Sequence, residues 1–404
     1  MTEAILTLNA GSSSLKFSLF EGRQGGLERA ADGEIEGIGA APHLVARSGG
    51  RIVAERRWPG DSTPTHEALL GETLAWVDDH LGANRLSGVG HRIVHGGAEF
   101  TAPVRLDDGI VAKLEALTPL APLHQPRNLA AVRAVAKARP GIPQVACFDT
   151  AFHRDHAPEV YRFGLPREWE ERGVRRYGFH GLSYEYIAQR MRTLAPDLAA
   201  GRMIVAHLGN GASLCAIRGG ASVDTTMGLT ALDGLVMGTR CGALDPGVIL
   251  YLEQAHGLGA KSIEHMLYER SGLLGVSQLS GDMRELLAAT DARAGDAVDL
   301  FVFRVVREIG ALTASMGGVD GLVFTAGIGE RSPEIRRRVC EQLGWLGAEV
   351  DDGANARGGG QISPARSRIA VWAIPTDEEQ MIAAHTRDIL GIAAGLSESR
   401  RRQP

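Results

Sequence analysis

Two segments half a chain apart are built alike, and they restrict the fold more than any other feature of this sequence. Leu-Thr-Leu-Asn-Ala-Gly-Ser-Ser-Ser-Leu at 6–15 and Val-Ala-His-Leu-Gly-Asn-Gly-Ala-Ser-Leu at 205–214 each read as a strand, a turn and a returning strand. Self-similarity at half-length implies two structurally related lobes. A length of 404 residues suits two domains. Hydrophobic patterning predicts strands over 4–8, 15–20, 33–38, 51–58, 87–94 and 144–148, with helices over 65–81, 107–117 and 126–138. The second half predicts strands over 203–208, 213–217, 320–325 and 368–374. Its helices start near 281–289, run over 294–316, begin again at Ser332 with Pro333 and Glu334, and close with 378–392. Residues 351–363 read as a surface loop, and the Arg-rich end at 400–402 as frayed. Alternating strands and helices make the class α/β.

Composition removes several function classes. A net charge of −5 gives no clustered basic surface for nucleic acid. The longest run without Asp, Glu, Lys or Arg, 203–217, is too short for a membrane span. No basic n-region opens the chain, so no secretory signal is expected. Cys147, Cys215, Cys241 and Cys340 lie far apart and never as C-x-x-C, which suits a reducing compartment. The expected location is the cytoplasm.

Glycine, at 52 residues, is about twice its usual ~7% and concentrates in short turns after strands. Glycine turns expose backbone N–H groups that hold phosphates. Three such turns follow strands: Asn9–Ser14, Gly209–Ser213 and Gly327–Glu330. Neither the P-loop nor the G-x-G-x-x-G pattern is present, nor H-E-x-x-H, nor a serine elbow. Arg92, His95, His124, Asp149, His180 and Arg240 stand within apolar or Gly-rich strings. Singly, each is as readily structural. Together they describe a site for a small, highly charged reaction centre. His91 and His95 share metal-like spacing, but with no third ligand nearby a zinc reading is rejected.

Here the strings match a family. The chain resembles the acetate kinases, a branch of the sugar-kinase, heat-shock-chaperone and actin superfamily. The matching strings are Leu-Asn-Ala-Gly-Ser-Ser-Ser-Leu-Lys-Phe (8–17), His-Arg-Ile-Val-His-Gly-Gly (91–97), Leu-Ala-Pro-Leu-His (120–124) and Phe-Asp-Thr-Ala-Phe-His (148–153). Arg-Arg-Tyr-Gly-Phe-His-Gly (175–181), Ala-His-Leu-Gly-Asn-Gly-Ala-Ser (206–213), Val-Asp-Thr-Thr-Met-Gly (223–228) and Gly-Leu-Val-Met-Gly-Thr-Arg (234–240) follow. Asp-Met-Arg-Glu (282–285), Phe-Thr-Ala-Gly-Ile-Gly-Glu (324–330) and Ile-Pro-Thr-Asp-Glu-Glu (374–379) complete a set that spans the chain in order.

The resemblance implies two ribonuclease-H-like, actin-like lobes with a cleft between them. Residues 1–150, joined by a C-terminal helix at 385–404, would bind acyl group and phosphate. Residues 151–384 would bind nucleotide and form a homodimer. It further implies reversible transfer of the ATP γ-phosphoryl group to acetate, giving acetyl phosphate and ADP, within acetyl-CoA/acetate interconversion. Arg92 and Arg240 would clamp the acetate carboxylate and the migrating phosphoryl group. His180 would donate to the transition state, His124 would support the acyl-phosphate oxygens, and Asp149 is essential. Val94, Leu123, Phe179 and Ala231 would line the acetate methyl pocket. Asn9 and Glu378 match the Mg²⁺ positions, which Mn²⁺ could also fill. Ser12, Lys16 and the turn His207, Leu208, Gly209, Asn210 and Gly211 would hold phosphates. Asp282, Met283 and Arg284, with Gly327, Ile328, Gly329, Glu330 and Arg331, match the adenosine pocket.

This chain departs from the family pattern at Ala231 (usually Pro), Gln125 (usually Asn), Arg331 (usually Asn), and Cys241-Gly242-Ala243 (usually Ser-Gly-Asp). These substitutions bear on acyl chain length and nucleotide preference. The alternatives are a propionate kinase of the same fold and a superfamily ATPase switch without an acyl acceptor.

Overall fold

The computed structural model describes residues 3–11, 14–23, 26–59, 64–82 and 84–392. Ser12 and the tail at 400–402 lie outside them. The chain forms two compact units: Met1–Ala151 with Asp377–Pro404, and Phe152–Thr376. The return to the first unit thus comes at Asp377, earlier than the expected 385.

The first unit holds β1 (Glu3–Ala10), β2 (Leu15–Arg23), β3 (Gly26–Glu36), β4 (His43–Ser48), β5 (Arg51–Arg57), β6 (Arg85–Ile93), β7 (Val104–Arg105) and β8 (Gln144–Phe148). They form one sheet in the order β5-β4-β3-β2-β1-β6-β8-β7. The second unit holds β9 (Arg202–Leu208), β10 (Ala212–Arg218), β11 (Ala221–Thr225), β12 (Gly321–Thr325), β13 (Gly360–Gln361) and β14 (Ala370–Ala373), in the order β11-β10-β9-β12-β14-β13.

The two sheets share a core. β3-β2-β1-β6-β8 corresponds strand for strand to β11-β10-β9-β12-β14. In each, the first three strands pair antiparallel and the two pairs that follow are parallel. The hairpin registers also correspond, with Ala10 opposite Leu15 in one and Leu208 opposite Ala212 in the other. The half-length repeat is therefore a duplicated ribonuclease-H-like sheet. β1 and β9 are buried almost throughout, as strands covered on both faces must be.

Apolar faces of the helices His66–Leu81 and Gln125–Ala138 cover one side of the first sheet, through Leu69, Leu70, Leu74, Val77 and Val135. Each fully buried aliphatic side chain contributes about 1.5–3 kcal/mol. The other side takes the closing helix Glu378–Leu390. A Cβ at Gly90 of β6 would lie 2.2 Å from Thr386 Oγ1 and 2.6 Å from Ile382 Cγ2, so only glycine admits this helix. Asp377 caps the helix by accepting from the Gln380 N–H at 2.9 Å, which sets Glu378 at its first turn.

Three local expectations fail. Gly327–Glu330 is not an open turn but part of a short helix, Ala326–Arg331. Residues 351–363 are not a plain surface loop: they contain the helix Asp352–Arg357 and β13, and bury Asn355 and Ile362. Glycines there look like loop formers, but tertiary contacts override that propensity. The strand expected at 33–38 is the end of β3, and β4 and β11 were not foreseen.

The helix Pro246–His256 is apolar in composition, yet none of its residues is buried. Leu250 is 53% and Tyr251 60% exposed, and Phe303 on the helix Ala292–Met316 is 55% exposed. Among the described residues no helix is long and apolar enough to cross a membrane.

Candidate active site

In the first unit, the parallel strands β1, β6 and β8 bring their C-terminal ends together, and Asn9, Arg92 and Asp149 sit there. Arg92 grips Asp149 with two hydrogen bonds, Nε to Oδ1 at 2.9 Å and Nη2 to Oδ2 at 2.6 Å. Its Nη1 donates to Asn9 Oδ1 at 3.3 Å. Glu378 approaches from the first turn of the closing helix, Oε2 lying 3.6 Å from Arg92 Nε. Asp149 and Glu378 are both buried.

Two carboxylates thus face one guanidinium. Burial pushes the Glu378 carboxyl up to about 7, with Arg92 opposing and Asp149 adding to the rise. Burial by itself would depress Arg92, but Asp149 and Glu378 outweigh it and raise its pKa.

Asn128 supports this cluster. From the helix Gln125–Ala138, its Nδ2 donates to the Ala10 carbonyl at 2.8 Å and its Oδ1 accepts from the Val94 N–H at 3.0 Å. It ties the ends of β1 and β6 that carry Asn9 and Arg92. Gln125, a departure from the family pattern, donates to the carbonyls of His95 and Leu114, both at 3.1 Å. Val94 is buried, whereas Leu123 and His124 are half-buried at the start of that helix. Lys16 pairs with Glu34 at 3.6 Å.

In the second unit, His180 ends the loop before the helix Gly181–Leu194 with a left-handed backbone, φ 58°. A non-glycine residue there costs about 1–3 kcal/mol. The His180 ring is held where Nδ1 bonds Ser213 Oγ at 2.8 Å and where it stacks on His207 at 4.1 Å between centroids. The β9–β10 turn packs against both His180 and Arg240. A Cβ on Gly211 would lie 2.7 Å from Arg240 Nη2 and 3.5 Å from His180 Nε2, so the turn must be bare. Arg240 Nη1 donates to the Ala231 carbonyl at 2.6 Å. Phe179, the neighbour of His180, is fully buried.

The residues expected around adenosine are disposed unequally. Asp282 caps the helix Met283–Ala288, and Arg284 folds back onto its carboxylate at 2.5 Å. Met283 is buried, while Gly327 and Arg331 are exposed. Glu330 is a clamp: Oε1 accepts from the N–H groups of Ala326 at 2.8 Å and Thr376 at 3.0 Å. Ala326 has φ 63°, and Glu330 helps hold that left-handed turn. Fully buried Arg336 donates to the carbonyls of Gly329 and Glu330 at 2.8 Å and to Asn355 Oδ1 at 2.7 Å. Neither Asn128 nor Arg336 carried a sequence signal, because each acts on backbone groups of other elements.

Beside His95, three further histidines are buried. Desolvation depresses His91 to about 4, His153 to about 3 and His156 to about 4. His91 Nε2 bonds Gln144 Oε1 at 2.7 Å. Among the described residues no three His, Cys, Asp or Glu converge as a metal-ligand set. Each of these histidines takes up a proton on unfolding once the pH is below about 6.5, so their contribution is full above that value and lost toward pH 4. Going from pH 7 to pH 5 should cost on the order of 2 kcal/mol per histidine. Urea unfolding at the two pH values measures it; unchanged midpoints would mean these rings are not buried neutral.

The acetokinase family model matches residues 4–384. The chain belongs to the acetokinase family. It is 52% identical to an acetate kinase of Rhodopseudomonas palustris over 95% of this chain and 98% of that one. An acetate kinase of Halothermothrix orenii is 43% identical over 96% of this chain and 99% of its own. Among solved structures, the acetate kinase of Porphyromonas gingivalis aligns with a TM-score of 0.83 at 39% identity, over 96% of this chain and all of that one. A propionate kinase from Francisella tularensis aligns at 0.88 with 34% identity, over the same shares. In this acetokinase the strands and turns described above are the family's, as the near-complete coverage requires.

Proposed function

We propose that the chain catalyses reversible transfer of the ATP γ-phosphoryl group to acetate, forming acetyl phosphate and ADP. The observation that carries this reading is 52% identity to an acetate kinase over nearly the full length of both chains. The side-chain chemistry agrees. Phosphoryl transfer needs positioning and charge stabilisation more than covalent help. Acetate, a carboxylate with a pKa near ~4, is already ionised at neutral pH and needs no general base. Asp149, bonded through both oxygens to the Arg92 guanidinium, orients it. Among the described residues three of the five Arg92 N–H donors are engaged, and the other two suit a carboxylate. Arg240 and His180, both against the bare Gly211 turn, donate to the phosphoryl oxygens. Lys16 and the turn Gly209, Asn210 and Gly211 hold phosphates, and the segments 282–284 and 327–331 hold the nucleoside.

A divalent ion fits the first-unit cluster. Asn9 and Glu378 offer hard oxygen donors, and the two carboxylates facing one guanidinium leave negative charge to balance. Magnesium bound there would neutralise phosphate oxygens. The four cysteines, none of them in a disulfide, support a cytoplasmic location.

ATP turnover that requires acetate and Mg²⁺, with hydroxylamine-trappable acetyl phosphate as product, is the expected result. Turnover independent of any carboxylate would point to an ATPase switch. A second acceptor is favoured by Ala231, which stands where the family pattern has Pro. One extra methylene gains about 0.8 kcal/mol where space exists and loses roughly 1–3 kcal/mol where it does not. Propionate kcat/KM should therefore fall within about tenfold of acetate, and Ala231→Pro should widen the gap. Rejection of propionate by about a hundredfold or more in the wild type would remove Ala231 from the acyl pocket.

The exposed face of the helix Pro246–His256 supports a homodimer, because contiguous apolar surface of this kind is normally covered. Light scattering should give about 86 kDa, twice the chain mass of 43.0 kDa. Leu250→Asp with Tyr251→Asp should give the single-chain mass. A wild-type monomer at micromolar concentration would overturn the assignment.

A further inference from the structure

We infer that Tyr184 and Ser213 form a hydroxyl relay that fixes the tautomer of His180, leaving its proton on Nε2 and aimed at the Gly211 turn. The inference rests on His180 being a phosphoryl-oxygen donor, and it concerns how the protein makes it one.

Tyr184 lies on the helix Gly181–Leu194, and its side chain is fully buried. A buried phenol must donate its proton to an acceptor. Burial raises the pKa of this one further, so it stays protonated. Its acceptor is Ser213 Oγ on β10, at 2.5 Å. Ser213 is itself fully buried, and its oxygen also lies 2.8 Å from His180 Nδ1. A serine hydroxyl has one proton to give. Among the described residues Ser213 Oγ bonds only these two groups, so with Tyr184 donating to the oxygen its proton points to Nδ1, the unprotonated nitrogen. The imidazole proton is left on Nε2, the atom nearest the space a Gly211 Cβ would occupy, beside Arg240 Nη2.

The opposite arrangement would put the proton on Nδ1 and turn a lone pair toward phosphoryl oxygen. That is repulsive where a donor is needed. The neighbouring histidine is wired the same way: His207 Nδ1 meets Ser183 Oγ at 2.8 Å, and Ser183 meets Thr376 Oγ1 at 2.8 Å. Two stacked imidazoles each have a hydroxyl on Nδ1, as expected if both present Nε2–H outward. Tyr184 and Ser213 are therefore positioning residues, acting through His180.

The test uses the full-length protein and two variants, Tyr184→Phe and Ser213→Ala. Tyr184→Phe removes one oxygen and keeps the ring, so the core retains its volume. Long-range proton–nitrogen NMR of histidine-labelled protein, with His180 assigned by His180→Gln, reports the tautomer directly. In the wild type Nε2 should be the protonated nitrogen, and both variants should shift His180 toward a mixture. Tyr184→Phe should lower kcat about tenfold and Ser213→Ala about a hundredfold, with KM for ATP and acetate within about twofold. The double variant should match Ser213→Ala alone, because Tyr184 acts only through Ser213. A wild-type proton on Nδ1, or additive losses in the double variant, overturns the relay. Should the wild type lack acetate-dependent turnover, the functional reading fails, while the NMR still decides the tautomer.

Discussion

Arg92→Ala should lower kcat by about 10²–10³ and cost roughly 3–5 kcal/mol of stability. The two losses have separate causes. The kinetic loss comes from removing the guanidinium proposed to bind acetate and the migrating phosphoryl group. The stability loss comes from Asp149, whose buried carboxylate would lose both Arg92 hydrogen bonds and face Glu378 without a cation between them. A double variant separates the effects. Arg92→Ala with Asp149→Asn removes the orphaned charge and should recover most of the stability without restoring turnover. Thermal unfolding and steady-state kinetics on the same preparations read the two effects independently. If Arg92→Ala were as stable as the wild type, Asp149 would have to be better solvated than its burial implies.

His180→Ala and Arg240→Ala should each lower kcat by about 10²–10³, or about 2.7–4 kcal/mol of transition-state stabilisation. Both groups meet the Gly211 turn, so they serve one developing charge. Their combined loss should fall short of the sum, as it does for residues that act as a unit. Stability should respond differently. Arg240 holds the Ala231 carbonyl, so Arg240→Ala loosens the segment around Ala231 as well. His180→Ala keeps the left-handed backbone but loses the bond to Ser213 and the stack on His207. Wild-type kcat in folded His180→Ala would remove His180 from the transition state.

Much of the architecture was legible in the residues. The repeated hairpins at 6–15 and 205–214 became the corresponding openings of two sheets, because alternation and glycine turns are local properties. The helix start at Ser332 was readable through capping chemistry. The segments 327–330 and 351–363 were not. Their glycines and acids look like loop formers, and the helices there are held by distant partners: Glu330 on Thr376, and Arg336 on Asn355.

By itself the sequence determined the α/β class, the duplicated hairpin and family membership. It also supplied the residue types a phosphoryl-transfer site needs. Periodicity, turn chemistry and motif order lie along the chain, where sequence can display them. Tertiary structure alone decided which groups meet. Gly90 lets the closing helix approach β6 and bring Glu378 to Arg92. Asn128 ties the ends of β1 and β6, and the Tyr184 hydroxyl reaches the His180 ring through Ser213. Each of these contacts depends on hydrogen-bond geometry between separate elements, to within a few tenths of an ångström. Geometry of that kind exists only after the sheets and helices have packed.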